Sequence, residues 1–146
     1  MSRIGKLGMI GLAMTLLFTA VDSTRSVFAQ QPIAQRAAED IIRSLADGKF
    51  NDVWNQKVSK FTHDNTSMNA FLSYMVNHAQ FGILQDLKYV SSTHFDQDQA
   101  TGYRGDIYTV IFRNTYSRGE FFEYLTVVKD SDGQYRFSGY NSARVP

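Results

Sequence analysis

Two carboxylates, Asp106 and Glu123, stand in the most aromatic part of the chain, among Tyr103, Tyr108, Tyr124, Tyr135 and Tyr140. A carboxylate packed against rings loses water, so its pKa rises and it can take a proton near neutral pH. A nearby tyrosine hydroxyl can then hydrogen-bond an enolate. Such a pair would suit a cofactor-free isomerase or dehydratase. The competing arrangement sets both carboxylates on a solvated strand face, paired with Arg104, Arg113 or Arg136. Strand parity alone does not say which face is inside. His63, His78 and His94 are the only histidines, and the chain has no cysteine. No two of these histidines share the i, i+4 spacing of a helical metal site, so surface or capping roles are expected, His78 near a helix end. The nucleophile elbow, the zinc-protease helix and the phosphate-cradling loop are all absent from the sequence. No catalytic residue, metal ligand or cofactor is therefore assigned.

These side chains need a sheet to hold them. Ile107–Phe112, Phe121–Val128 and Gln134–Tyr140 are rich in β-branched and aromatic residues. The turns Ser117-Arg118-Gly119 and Asp130-Ser131-Asp132-Gly133 separate them, which predicts an antiparallel meander. Ile83 to Phe95 predicts a further strand ahead of it, and Gly102 and Gly105 predict a bend at the start of the long strand Tyr103 to Tyr116. Upstream, Ile33, Ala37, Ala38, Ile41, Ile42 and Leu45 recur at three- and four-residue steps, one face of a helix that starts near Pro32 and stops at Asp47-Gly48. Phe50, Val53 and Trp54 mark a second helical turn, with Phe50 and Trp54 expected to be buried against the sheet. Met68, Phe71, Leu72, Met75 and Ala79 predict a third helix, capped from Asp64-Asn65-Thr66 and closed by Gly82. Helices first and a curved four-stranded antiparallel sheet afterwards define an α+β fold of one domain over residues 30–146.

The first 29 residues read as an export signal. Arg3 and Lys6 precede the apolar run Leu7 to Val21, and small residues flank Phe28 in Val27-Phe28-Ala29. The 15-residue apolar run is too short for a bilayer core about 30 Å thick. Cleavage after Ala29 leaves Gln30 first and, by removing Arg3, Lys6, Arg25 and Asp22, moves the net charge from +1 to −1. Neither value suggests nucleic acid as a partner. An exported domain without cysteines must be held by its core alone, which suits a bacterial periplasmic or secreted protein.

Gly48-Lys49-Phe50-Asn51-Asp52-Val53-Trp54, Phe81-Gly82-Ile83-Leu84 and Glu123 with Gly133-Gln134-Tyr135-Arg136-Phe137-Ser138-Gly139-Tyr140 resemble, in order and spacing, a secreted bacterial family known only as a domain of unknown function. Tyr135 stands where that family usually shows Trp, and Tyr108 is one position from the tyrosine expected after Gly105. The resemblance implies the cystatin-like, cone-shaped α+β architecture named for nuclear transport factor two, a superfamily that also includes ketosteroid isomerases. It transfers no catalytic residue. The function expected is that of a non-enzymatic domain binding a small apolar ligand or another envelope protein, with Trp54, Asp106, Tyr108, Glu123 and Tyr124 around the ligand. The alternative is an isomerase- or dehydratase-type enzyme using Asp106 or Glu123 as base. The central strands carry apolar residues on both faces, and helices cover only one, so a homodimer through the sheet is expected as well.

Overall fold

The computed structural model describes residues 24–146, with side chains from Ala29 onward. Most of the leader expected over residues 1–29 thus lies outside the described residues. Four α-helices come first: α1 Thr24–Ala46, α2 Phe50–Lys57, α3 Lys60–Asn65 and α4 Met68–Met75, the last running into a 3₁₀ helix, Val76–Phe81. Five strands follow: β1 Leu84–Asp86, β2 Tyr89–Gln97, β3 Arg104–Tyr116, β4 Gly119–Lys129 and β5 Tyr135–Arg144. The fold is α+β, with the helices packed on an open antiparallel sheet. Among the described residues no helix is long and apolar enough to cross a membrane.

Most of the predicted face of α1 is used: Ala38, Ile41, Ile42 and Leu45 are buried, but Ala34 takes the place of Ile33, which is 42% exposed, and Ala37 is half-buried. Its start differs. The helix already runs through Thr24, the first described residue, so Pro32 lies inside it rather than at its first turn. The third predicted helix is shorter than its pattern. Ser67, not the Asp64–Thr66 stretch, caps α4 by accepting from the Ala70 N–H at 3.1 Å, and the chain tightens to 3₁₀ geometry from Val76. Gly82 ends it at φ 85°, where a Cβ would also strike Ser117 Oγ. Lys60–Asn65, for which the sequence pattern predicts no helix, forms α3, capped by Ser59, whose Oγ accepts from the Thr62 N–H.

The sheet has five strands, not four, because the Ile83–Phe95 segment breaks in two. β1 and β2 both pair with β3, followed by β4 and β5 in order. The pairing of β2 with β3 shifts twice: at Tyr89–Ser91 the extra residue is on β2, and between the pairs Phe95–Ile107 and Gln97–Arg104 it is on β3, in the stretch holding Gly105, where the sequence predicts a bend. One face carries Tyr108, Val110 and Phe112 of β3, Leu125 and Val127 of β4 and Phe137 of β5. These meet α1, Val53 and Trp54 of α2 and Phe71 and Met75 of α4 in a single buried core.

The opposite face is not left bare along its whole length. Phe61 of α3 and Tyr103 lie ring against ring at 4.6 Å, and with Phe95 they pack on buried Ile107 and Val128. Farther along β3 and β4, Ile111, Phe122 and Tyr124 remain half-buried. The two carboxylates singled out by sequence both project to the helix-facing side, at opposite ends. Glu123 is paired with Phe112, six positions from Asp106, a separation of about 20 Å along the strand.

Candidate functional site

Glu123 interrupts the buried apolar series of β4, Phe121, Leu125 and Val127, and it has no exposed surface. A lone charge there would be prohibitive, so the fold must supply partners. It supplies four. His78 Nε2 lies 2.7 Å from Oε1, which also accepts from the Tyr140 hydroxyl at 2.7 Å. Oε2 accepts from Asn114 Nδ2 at 2.5 Å and from the Tyr116 hydroxyl at 2.6 Å. Burial alone would push this carboxyl up. The hydrogen bond and charge of His78, with the bonds from Tyr116 and Asn114, outweigh that and hold it below the ordinary carboxylate range. With Glu123 ionised, His78 Nε2 is the donor. Tyr116 and Tyr140 are pushed upward, first by burial and then by the neighbouring Glu123 charge.

This network ties four elements at one point: the 3₁₀ helix through His78, β3 through Asn114 and Tyr116, β4 through Glu123 itself and β5 through Tyr140. Phe81 stacks on Phe121 at 3.8 Å and meets Tyr116 edge-on, closing one side. His78 is therefore a buried partner of Glu123 and not the surface or capping residue that its place near a helix end implies. Its spacing carried the signal: Phe71, Met75 and His78 follow one another at helical steps on the buried side. Neither carboxylate pairs with arginine. Arg113 bonds Glu120, and Arg136 bonds Asp130 and Asp132.

Asp106 sits at the other end, where the sheet is more open. Its Oδ1 is 2.5 Å from His94 Nε2, and its Oδ2 accepts from the Tyr135 hydroxyl at 2.7 Å. The side chains of Asp106 and His94 keep 32% and 17% of their surface. Tyr108 lies between His94, at 4.8 Å, and Tyr135, at 5.6 Å. Burial, followed by the Asp106 charge, pushes its hydroxyl up to about 12. Burial and then the hydrogen bond to Asp106 raise Tyr135 as well. From α1, Gln30 Oε1 accepts from Lys129 Nζ at 3.4 Å and lies 3.5 Å from the Tyr135 oxygen, whose one proton goes to Asp106. An Asp-held imidazole beside a tyrosine can in principle relay a proton. The arrangement could not be read from sequence because the β2 register that sets His94 opposite Tyr108 depends on the bulges.

The remaining predicted site residues do not join either cluster. Trp54 is core, 4.2 Å from the His63 ring and 5.4 Å from that of Phe71. Tyr124 belongs to the outward side, opposite Ile111. Among the described residues no group of three His, Cys, Asp or Glu side chains could hold a metal ion. Comparison of the chain with protein-family models, with curated proteins and with solved structures finds no match, so a functional reading must rest on this geometry.

Proposed function

We propose that this is an exported, non-enzymatic α+β domain that works by contact with another envelope protein, rather than by holding a small apolar ligand between its helices and sheet. The observation that carries this reading is the filling of that interior. Ile41, Ile42 and Leu45 from α1, Phe71 and Met75 from α4 and Phe112 and Phe137 from the sheet are each at most 2% exposed. Glu123, which a ligand reading needs as a polar anchor and an enzyme reading needs as a base, has all four donors inside the protein. Apolar surface instead lies outside, at Ile83, 74% exposed, Val76, 57% exposed, and the half-buried strip Ile111, Phe122 and Tyr124.

Export agrees with the position of Pro32. Inside α1 it lacks the N–H that would bond back one turn, a defect that costs about 3 kcal/mol in a helix interior. In a chain beginning at Gln30 the same proline falls in the first turn, where it is tolerated.

Trp54 is the only tryptophan and reports on the interior. Titrating the protein with an apolar probe such as anilinonaphthalene sulfonate should give no saturable change in Trp54 emission. One-to-one saturable quenching would restore the small-ligand reading. The Asp106–His94 pair favours one second reading, proton transfer at that end. Incubating the protein with simple enolisable ketones in heavy water should show no exchange above background. Exchange abolished by Asp106→Asn would establish the enzyme reading.

A further inference from the structure

We propose that acid opens the molecule at one place: when Glu123 takes up a proton, the 3₁₀ segment Val76–Phe81 leaves the sheet while the main core stays closed. The opening stands on the geometry of the network. Only its use, a larger outer apolar surface, rests on the contact reading above.

The segment is held by few side chains. Of its six residues, Val76, Asn77, Ala79 and Gln80 are exposed, and only His78 and Phe81 are buried. A 3₁₀ turn adds little stability of its own, because its hydrogen bonds are poorly aligned. Two side chains reach the sheet: His78 Nε2 meets Glu123 Oε1 at 2.7 Å, and Phe81 stacks on Phe121 at 3.8 Å. One backbone bond joins them, from the Arg118 N–H to the Phe81 carbonyl at 3.1 Å. Phe81, Phe121 and Tyr116 form a small cluster apart from the main core. The flanks are anchored independently. Phe71 and Met75 of α4 lie in the main core, and Leu84 of β1 pairs with Tyr116. Gly82, at φ 85°, stands between the segment and β1 as a hinge.

The ionisable groups facing Glu123 are His78 from this segment, Tyr116 from β3 and Tyr140 from β5, with Asn114 as the fourth partner. Among the described residues no other carboxylate pairs with His78. Protonating Glu123 sets a hydroxyl among four donors and removes the counter-charge of an imidazole, which in acid water is a cation. A buried cation without a partner is unfavourable, so His78 moves out to water and the segment follows. The Glu123 carboxyl is held below the ordinary carboxylate range. The closed form therefore persists above the ordinary value, about 4.3, and is lost as pH falls through the lower folded one. Phe81 is then uncovered between Val76, 57% exposed, and Ile83, 74% exposed.

Amide exchange, corrected for the intrinsic effect of pH, tests the opening on the wild-type protein. From about pH 7 to about pH 3, residues 76–81 should lose protection about tenfold or more while β3 and β4 keep theirs. Acid protonates every other carboxylate as well, so Glu123→Gln at neutral pH isolates this one. That variant should show the same local loss, and its His78 should react with diethyl pyrocarbonate as readily as exposed His63, whereas wild-type His78 is shielded. Wild-type protection that persists at 76–81, or that is lost across the sheet at the same pH, overturns the proposal whether or not the variant folds. A folded Glu123→Gln protein in which the segment and His78 stay protected overturns it too. Exchange reads the opening alone, and the contact reading is tested at the outward strip, so the two failures are distinguishable.

Discussion

Glu123 shows how one side chain can be indispensable without performing chemistry. Its pKa is depressed in the fold, so the stability it contributes is complete above the unfolded value, about 4.3, and is lost as pH falls through the folded one. Glu123→Gln keeps the shape and one acceptor but removes the charge and turns the second oxygen into a donor facing donors. Breaking a buried pair of this kind costs about 3–5 kcal/mol, a large part of the roughly 5–15 kcal/mol available to a domain. Urea unfolding should show that loss at neutral pH, together with a flatter profile below pH 4. Glu120→Gln, at the exposed pair with Arg113, is the control and should cost no more than about 1 kcal/mol. A Glu123→Gln protein within about 1 kcal/mol of wild type would mean that the network is not a lock. The polar breaks were visible in the sequence: Asn114 and Glu123 fall at buried parity amid Phe112, Tyr116, Phe121 and Leu125. Which partners satisfy them was not, because His78 and Tyr140 arrive from elements distant in the chain.

At the scale of elements, the helices were legible where periodicity is strong and obscure where a short polar segment folds only by docking. Most of the α1 face and the burial of Val53 and Trp54 follow from spacing alone, although Ile33 is exposed and Phe50 only half-buried. α3 does not, since Lys60-Phe61-Thr62-His63-Asp64-Asn65 has no apolar stripe; it is held by buried hydroxyls, with Ser59 Oγ 2.5 Å from Ser138 Oγ and Thr62 Oγ1 3.3 Å from it. The Ser59 N–H also donates to the Phe137 carbonyl at 2.8 Å, fastening this corner to β5. Ser138→Ala should therefore loosen α3, seen as faster amide exchange over residues 60–65 with little change in α1. Trp54, in ring contact with both His63 and Phe71, joins α2 to α3 and α4. Trp54→Ala should cost about 3–5 kcal/mol as a large-to-small core change. A loss below about 1 kcal/mol would show that the ring is not packed as described.

For the whole molecule, the order of elements and the meander were legible because strand chemistry and turn residues agree. The bulge at Tyr89–Ser91 was not, since no Gly or Pro marks it, and it helps set the register in which His94 lies opposite Tyr108 and meets Asp106. The apolar residues on both strand faces do have two uses in the fold. One set makes the core, and part of the other is roofed by Phe61, Phe95 and Tyr103, which leaves Ile111, Phe122 and Tyr124 half-buried, the strip on which the proposed contact would form. A second copy of the chain is the simplest occupant by symmetry. Sedimentation of the mature protein at micromolar concentration should then show a dimer that Tyr124→Arg converts to a folded monomer. The central claim, that this domain acts through its outward surface, is tested most directly by placing a photo-crosslinking amino acid at Tyr124 and irradiating cells that export the protein. The account predicts one discrete adduct, at twice the chain mass for a homodimer or at another single mass for a different envelope protein, and none from the same probe at exposed Asp40 on α1. No adduct at Tyr124, or equal adducts at both positions, would contradict it.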